Sequence, residues 1–277
     1  MNHHFHTYFN SFKLKTEFWT SFIVEALTVT LLTLFIYGFA RLLELRAYTI
    51  SGGRSVEELK TALLTGSLES NQIFLHNIQV FTYLFIVGGI LTLLITLFVF
   101  SFAQASIWNG LIHSQFTSKK YWKWNSLNLC LLFLSVLYVL VYVLLRIVLN
   151  LVFASLPAAA FTIITNFITF SFLLGFFLIM YLAYYSFVKN YQVWLSMGNA
   201  FHLLKTKWNS LWRFYLLTVA TAILLSVLIS LLRRLFPVQP QWMAMLISVG
   251  TFLLLLSWIR LYLIQTLSHE PHQSHSS

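Results

Sequence analysis

Six long apolar runs, separated by shorter polar segments, set the pattern of the chain. They cover residues 20–46, 78–104, 127–153, 160–187, 211–236 and 241–267. About 20 apolar residues are enough for an α-helix to span a bilayer. Backbone groups in hydrocarbon must be hydrogen-bonded internally, and these runs are too long to be the strands of a barrel. The pattern predicts an all-α, polytopic membrane protein with six transmembrane helices, the first of which is too long to be a cleaved signal.

The longest polar segment, residues 51–77, contains a helix signal of its own. Ser55-Val56-Glu57-Glu58 has the form of a capping box, in which the first and last side chains accept backbone hydrogen bonds. The leucines that follow form an apolar face before Gly66 ends the helix. We expect a short amphipathic helix on the outer membrane surface. Residues 108–116 and 201–205 are predicted to be amphipathic elbows at the inner interface.

The stretch KWNSL occurs twice, at residues 123–127 and 207–211, each time before an apolar run. Its Asn and Ser are typical of helix starts and its Trp of a membrane interface, so helices 3 and 5 are predicted to begin at Trp124 and Trp208. Three glycines are each followed 15 residues later by an amide: Gly89 by Gln104, Gly175 by Asn190 and Gly250 by Gln265. These correspondences predict three diverged helix-hairpin repeats. Coincidence among common residue types is the alternative.

Composition argues against several functional classes. The chain is 59% hydrophobic and 9% charged, whereas a soluble domain is about a quarter charged. The net charge of +10 therefore indicates membrane orientation and contact with anionic lipid rather than nucleic-acid binding. One cysteine excludes an intrachain disulfide, and the absence of aspartate argues against an Asp-rich magnesium site. Because no HExxH, GxSxG or Gly-rich phosphate loop occurs, we expect a non-enzymatic protein that needs no cofactor.

Lysines are concentrated on one side of the predicted helices. They precede helices 1, 3 and 5: Lys13, Lys15, Lys119, Lys120, Lys123, Lys189, Lys205 and Lys207. The positive-inside rule then places both termini in the cytoplasm of a multi-pass cell-membrane protein. The expected organisation is a cytoplasmic tail and interfacial elbow over residues 1–17, one membrane domain over 18–268 and a tail over 269–277. Both polar tails are expected to be disordered.

The architecture also suggests relatives. Six helices, a long first outer loop and a basic elbow before each odd-numbered helix are followed by the ending Ser257-Trp258-Ile259-Arg260-Leu261-Tyr262-Leu263-Ile264-Gln265. On these features the chain resembles poorly characterised six-helix membrane proteins of the YciC type, and the membrane domain attached to some glycerophosphodiester phosphodiesterases. The resemblance spans most of the chain and implies a membrane protein. No hydrolase domain is present in the sequence, so it implies no phosphodiesterase activity.

Charged residues inside the predicted helices form the candidate site, because a charge at a helix centre costs about 2.5–3.5 kcal/mol. Glu25, Arg213 and Arg260 all fall in the cytoplasmic half of their helices. Helices 1 and 6 are neighbours in a closed bundle, so Glu25 is predicted to pair with Arg260 or Arg213. Such a pair either fixes helix packing or forms a site for an anionic headgroup or a proton-coupled gate. We favour packing, because one acid and two bases do not make a proton chain.

The outer arginines and the histidines of the tails are two further groups of candidate residues. The outer arginines either contact lipid headgroups or meet helix carbonyls and snorkel to the interface, which is the simpler interpretation. They are Arg41, Arg146, Arg233 and Arg234. Histidines in the tails offer metal ligands, but Pro271 breaks any helix that would align the last three, so no metal site is predicted. They are His3, His4, His6, His269, His272 and His275.

The sequence leaves three roles open, of which an intramembrane lipid enzyme is the least favoured. The first is a membrane-organising or regulatory protein that acts through helix packing and through contacts with membrane lipids or proteins. The alternative is a permease or lipid-handling protein with a polar site near Glu25 and Arg260. A transporter needs a water-accessible cavity around these two side chains, whereas a scaffold buries them in dry contacts.

Overall fold

The secondary structure of the described residues is helical. The computed structural model describes residues 2–12, 16–153, 155–235 and 241–268. The helices are α1 (Asn2–Ser11), α2 (Thr16–Ser51), α3 (Val56–Thr65), α4 (Leu68–Ile112), α5 (Ser118–Val152), α6 (Ala158–Asn190), α7 (Val193–Thr206), α8 (Trp208–Leu235) and α9 (Gln241–Ser268). Six of them, α2, α4, α5, α6, α8 and α9, are long and apolar enough to cross a membrane. The predicted all-α, polytopic fold is therefore confirmed, while the three-fold repeat stays a prediction.

The spanning helices extend beyond the apolar runs. α4 has 45 residues and begins ten positions before the predicted start at residue 78. Residues 68–77 are polar but contain no glycine or proline that would end a helix. At 1.5 Å per residue α4 is about 67 Å long, more than twice the ~30 Å hydrocarbon thickness. Hydropathy therefore located the spanning segment, whereas the helix continues until a breaker stops it.

The predicted helix in the first outer segment is present as α3. Ser55 Oγ accepts a hydrogen bond from the Glu58 backbone N–H at 3.3 Å, and Glu58 Oε2 accepts one from the Ser55 N–H at 2.9 Å. These two bonds confirm the capping box, and Gly66 is the C-cap of the helix. The other half of the segment belongs to α4.

The two predicted inner elbows had different outcomes. Residues 201–205 lie within α7, a separate helix of 14 residues. The expectation for residues 108–116 was wrong in its first part, because α4 continues to Ile112 and the chain turns only at His113, whose φ is 54°. Trp108 is fully buried rather than interfacial, because its ring packs against Tyr181 and Tyr184.

The chain forms two compact units, Met1–Ala26 with Ser101–Ser277, and Leu27–Phe100. In the first unit, α6 packs against α5 and α7, and α9 packs against α1 and α8. Its largest fully buried side chains are mostly aromatic residues and leucines: Trp108, Trp124, Arg260, Tyr181, Tyr184, Tyr262, Phe187, Phe214, Leu127, Leu182, Leu211 and Leu263. They lie where α4, α6 and α9 end and where α5 and α8 begin. The core of this unit is therefore at one end of its helices.

In the second unit, α2 and α4 approach each other closely at a glycine. A Cβ atom added to Gly88 would lie 2.5 Å from Cε2 of Phe39, so any larger residue would force the ring aside. Small residues commonly permit such contacts between helices in lipid. Long side chains elsewhere in the unit are exposed, among them Leu34 and Tyr83, as expected for surfaces that face hydrocarbon.

The N-terminal tail requires a correction, because residues 2–11 form α1 and are not disordered. The Tyr8 ring makes edge contacts with Trp258 and Tyr262 of α9, and its hydroxyl lies 2.8 Å from Thr221 Oγ1 of α8. Trp258 Nε1 donates a hydrogen bond to Ser11 Oγ at 2.9 Å. Aromatic side chains every few residues give this short polar segment a face that docks on the bundle.

The predicted helix starts at KWNSL were correct for one copy only. α8 begins at Trp208, but α5 begins at Ser118, six residues before Trp124. Asn125 therefore does not cap the helix. Its Nδ2 donates to the Tyr121 carbonyl one turn earlier, as in a helix interior. Trp124 of the first copy is buried, whereas Trp208 of the second is half exposed.

Candidate functional site

A buried ion pair joins the first spanning helix to the last. Arg260 Nη1 donates to Glu25 Oε2 at 2.8 Å, and Nη2 donates to Glu25 Oε1 at 2.5 Å. Arg260 is 1% exposed and Glu25 is 7% exposed. Two parallel hydrogen bonds between a guanidinium and a carboxylate fix both direction and register. The structure thus brings together two of the three candidate residues, on α2 and α9 of the first unit.

The local sequence of α2 places a second acceptor beside the pair. Ser21 precedes Glu25 by four residues and therefore lies on the same helix face. Its Oγ accepts a hydrogen bond from Arg260 Nη1 at 3.1 Å, and Ser21 is buried. A charge removed from water must be paired and hydrogen-bonded to be tolerated. The carboxylate and the serine hydroxyl supply that pairing on one side of the guanidinium.

The third candidate, Arg213, does not belong to this site. It is exposed on α8, so Glu25 pairs with Arg260 alone of the two predicted partners. Arg213 follows Trp212 on the side of α8 away from the buried stripe that begins at Leu211 and Phe214. Helix rotation therefore decides between the two arginines.

Arg41 and Arg146, two of the four outer arginines, are exposed and are not members of this ion pair. Arg41 is exposed and forms an ion pair with Glu44, three residues along α2 in the second unit. Arg146 is exposed near the end of α5. Arg233 and Arg234 lie in the last turn of α8, and their side chains are outside the described part of the structure. Headgroup contact by these four residues stays a prediction.

An aromatic shell surrounds the other side of Arg260. The centre of the Tyr181 ring lies 5.1 Å from the guanidinium carbon, within the range of a cation–π contact. Trp108 packs against Tyr181 and Tyr184 at centroid distances of 5.7 and 5.8 Å, and Trp124 packs against Tyr184 at 5.4 Å. The ion pair is therefore enclosed by side chains of α2, α4, α5, α6 and α9.

A short chain of hydrogen bonds extends from this shell into α5 and α4. The Tyr184 hydroxyl donates to Asn128 Oδ1 at 2.6 Å, and Asn128 Nδ2 donates to Ser101 Oγ at 2.9 Å. All three side chains are buried. Buried polar networks with every member bonded rigidify the helices that carry them. This network holds α4, α5 and α6 in one arrangement behind the ion pair.

Several buried polar atoms near the pair have no hydrogen-bond partner within the described residues. Three belong to its immediate surroundings: Arg260 Nε, Tyr181 OH and Ser257 Oγ. The others are Gln104 Oε1, Trp108 Nε1, Trp124 Nε1, Asn125 Oδ1 and Gln265 Oε1. Buried polar groups normally bond to protein or to ordered water. These atoms are therefore the unsatisfied part of an otherwise closed and buried ion-pair site.

Sequence reasoning missed the aromatic and amide members of this site. Tyr181 and Tyr184 lie in the stretch Met180–Phe187, where three tyrosines and a serine interrupt an apolar run. Asn128 likewise interrupts the run that begins helix α5. Polar groups inside a spanning segment usually face the bundle interior, and that signal was available at these positions. Formal charge alone does not identify these positions.

Among the described residues no metal site is found. No group of three or more His, Cys, Asp or Glu side chains that could hold a metal ion occurs among the described residues. His269, His272 and His275 lie outside those residues, as do the side chains of His3, His4 and His6. The single cysteine, Cys130, is a free thiol in α5.

Comparison with known proteins supplies no relative. No family model matches the chain, and neither a curated protein nor a solved structure matches it. The six membrane-crossing helices make it an integral, multi-pass membrane protein on structural grounds alone.

Proposed function

We propose that this chain is a non-enzymatic cell-membrane protein with a membrane-organising or regulatory role, exerted through helix packing and through contacts with lipids or proteins. The observation that carries the proposal is the closed ion pair between Glu25 and Arg260. A transport path would keep water at these groups. Both carboxylate oxygens instead bond to the guanidinium, in buried surroundings. Dry contacts of this kind favour a packing role.

A packing role also explains the location of the pair. It connects residues that are 235 positions apart, on the first and last spanning helices. Buried ion pairs add little net stability compared with apolar side chains, but they penalise every arrangement that separates the two charges. In lipid, any bundle in which α2 and α9 are not neighbours is therefore destabilised. The pair therefore selects one helix order.

The proposed orientation has both chain termini in the cytoplasm. The described lysines near the starts of α5 and α8 lie at the end of the first unit where its core is found, and they include Lys119, Lys123 and Lys205. Lys13 and Lys15 lie outside the described residues. An excess of lysine on one side marks the cytoplasmic side of a membrane protein. This asymmetry supports insertion with that end inside.

Orientation is tested by labelling with a membrane-impermeant maleimide in a Cys130→Ser background. We expect Thr65→Cys, at the end of α3, to react in intact cells because α3 lies outside. Thr117→Cys, before α5, should react only after the cells are permeabilised. Both positions are exposed, so accessibility alone does not separate them. The reverse labelling pattern would overturn the proposed orientation.

The packing role is tested by exchanging the two charges. Removing one partner of a buried pair costs about 3–5 kcal/mol, so Glu25→Arg or Arg260→Glu alone should greatly lower the yield of folded protein. The double variant Glu25→Arg/Arg260→Glu should recover much of that yield, because the charges again match. The matched control is Arg41→Glu/Glu44→Arg with its single variants. That pair is exposed and is worth about 0–1 kcal/mol, so none of the three should change the yield.

The alternative, a permease or lipid-handling protein, is favoured by one observation. Arg260 Nε, Tyr181 OH and Ser257 Oγ are buried donors without a protein partner in the described part of the chain. A polar ligand bound beside the guanidinium would satisfy such atoms. Native mass spectrometry distinguishes the two roles. A single lipid or anion that wild type retains and the Arg260→Met variant loses would support the alternative and contradict the packing role.

A further inference from the structure

A groove runs along the outside of the first unit between α6 and α8. Its walls are Phe167, Ser171 and Gly175 of α6, and Trp208, Trp212 and Leu216 of α8, and its volume is about 470 Å³. This volume lies within the usual range of ligand pockets, about 300–1,000 Å³. Trp208, Trp212, Leu216 and Phe167 are about half exposed. The groove is therefore open towards the surrounding hydrocarbon.

The wall formed by α8 is a flat row of aromatic rings. Trp208 stacks on Trp212 at 5.9 Å with an interplanar angle of 21°, and Trp212 stacks on Tyr215 at 5.8 Å and 11°. The Tyr215 hydroxyl donates to the Ser171 carbonyl at 2.8 Å. Because that bond satisfies the hydroxyl, the row presents an apolar face. Stacking holds the rings parallel, so the face keeps its shape without a ligand.

The wall formed by α6 lacks a side chain at Gly175. A Cβ atom at this position would lie 3.0 Å from the Tyr138 hydroxyl, which donates to the Phe172 carbonyl at 2.7 Å. The glycine therefore leaves room for the Tyr138 hydroxyl, which also lines the groove. Its neighbours Ser171 and Ile179 continue the wall along α6.

The length of the groove matches one leaflet. From Trp208 to Val219 it follows twelve residues of α8, a rise of about 17 Å at 1.5 Å per residue. Half of the ~30 Å hydrocarbon core is about 15 Å, which is the depth of one acyl chain. Trp208 marks the interfacial end, because it is the first residue of α8 and tryptophan favours that depth.

Positive charge is available at the same end. Leu204 lines the groove, and the exposed Lys205 follows it in the last turn of α7. The ammonium group of Lys205 has no hydrogen-bond or ion-pair partner within the described part of the chain. Lys189 differs, because its ammonium bonds to the Tyr185 hydroxyl at 2.6 Å and lies over that ring. Lys205 is therefore an exposed cation next in sequence to a residue that lines the groove, at the end where α8 begins.

We propose that the groove between α6 and α8 binds one acyl chain of an anionic phospholipid, with the lipid phosphate beside Lys205. The aromatic row supplies a preformed apolar surface, the groove length fits one leaflet, and the lysine supplies opposite charge at the headgroup level. The inference rests on the proposed function, since it names the lipid contact through which a membrane-organising protein would act. It places that contact away from Glu25 and Arg260.

The test is native mass spectrometry in mild detergent with equal amounts of phosphatidylglycerol and phosphatidylcholine of distinguishable mass. Wild type should retain one phosphatidylglycerol in preference to phosphatidylcholine. Leu216→Trp fills the groove and should reduce retention by about tenfold, because the chain loses its buried surface. Leu224→Trp is the matched control, since Leu224 is exposed on the same helix outside the groove, and it should retain lipid like wild type.

A second variant separates the headgroup from the chain and does not depend on the packing of the groove. Lys205→Gln should lower the preference for phosphatidylglycerol over phosphatidylcholine by about fivefold, the effect of one lysine near a membrane surface. Lys119→Gln is the control, because it removes an exposed lysine in the first turn of α5. It should leave the preference unchanged. Equal retention of both lipids by wild type would contradict the proposal, as would equal lipid loss in Leu216→Trp and Leu224→Trp.

Failure of this inference is distinguishable from failure of the proposed function. If Arg260→Met abolishes lipid retention while Leu216→Trp preserves it, the lipid lies at the buried ion pair and both proposals are wrong. If wild type retains no lipid but the charge-exchange variant of Glu25 and Arg260 recovers folding, only the groove inference fails. Thermal unfolding of each variant in detergent, compared with its control, identifies loss of lipid caused by loss of structure.

Discussion

The beginnings of α5 and α8 contain the same five residues and differ in nearly every contact. In α5, Trp124 is 0% exposed and lies between Tyr184 and Phe187, whereas Trp208 of α8 is 52% exposed and stacks on its neighbour Trp212. The cause is the position of the stretch relative to the helix start. Six helical residues precede Trp124, but Trp208 is the first residue of its helix. Identical sequence therefore takes on a packing role in one place and an interfacial role in the other.

The buried stripes of the two helices explain the difference further. In α5 the stripe is Trp124, Leu127 and Leu131, with the spacing of one helix face. In α8 it begins later, with Leu211 and Phe214. Only the leucine of KWNSL is buried in both copies. The neighbouring helices decide which residues of each helix are buried. The repeated stretch therefore contributes different residues to the buried stripe in α5 and in α8.

The largest expected effect separates the two tryptophans. Trp124→Ala should destabilise the folded protein by about 3–5 kcal/mol, because it removes a fully buried indole and leaves a cavity. Trp208→Ala should cost about 1 kcal/mol or less, since the ring is half exposed and its loss opens no cavity. Unfolding in detergent followed by circular dichroism measures both. Equal losses would mean that burial does not distinguish the copies.

An intermediate effect should be shared by the two leucines. Leu127 and Leu211 are 0% and 1% exposed, so each change to alanine should cost about 2–5 kcal/mol. The exposed Leu224 of α8 is the control, and its change to alanine should cost much less. A loss at Leu127 without a loss at Leu211 would show that the second copy lies outside the core altogether.

The smallest effect concerns the asparagines. Asn125 is buried with Oδ1 unpartnered within the described residues, while Asn209 is exposed. Asn125→Leu should be neutral or stabilising by up to about 1 kcal/mol, because it removes an unsatisfied polar atom. Asn209→Leu should change unfolding within about 0.5 kcal/mol. A strong loss in Asn125→Leu would indicate that Oδ1 binds an ordered water or a ligand that leucine cannot replace.

The presence of the six spanning helices and of α3 was predicted well, although the exact helix ends were not. Each spanning helix is specified by its own length and apolar content, and α3 is specified by Ser55 and Glu58 within one helical turn. Features that depend on helix rotation were not. The sequence offered Arg213 and Arg260 as equal partners for Glu25, since only the packed bundle shows that Arg213 faces outward.

The burial of the aromatic side chains around the site likewise could not be predicted from the sequence. Tryptophans at the ends of apolar runs normally lie at the interface, and Trp19 and Trp208 are indeed half exposed. Trp108 and Trp124 lie at similar positions but are fully buried, because α4, α5 and α6 converge around Tyr184. No local pattern separates these cases. The separation comes from which helices meet, which is a property of the whole fold.

The ion pair between Glu25 and Arg260 has a consequence for biosynthesis. A ribosome completes the chain from the N-terminus, so the helix with Glu25 enters the membrane 235 residues before its arginine is made. During that interval Glu25 lacks the guanidinium of Arg260, its partner in the finished bundle. Burying the unpaired carboxylate in lipid is costly, which favours keeping α2 near the insertion machinery or near water. The last helix then completes the assembly. A chain interrupted before α9 would retain an unmatched acid in its first spanning helix.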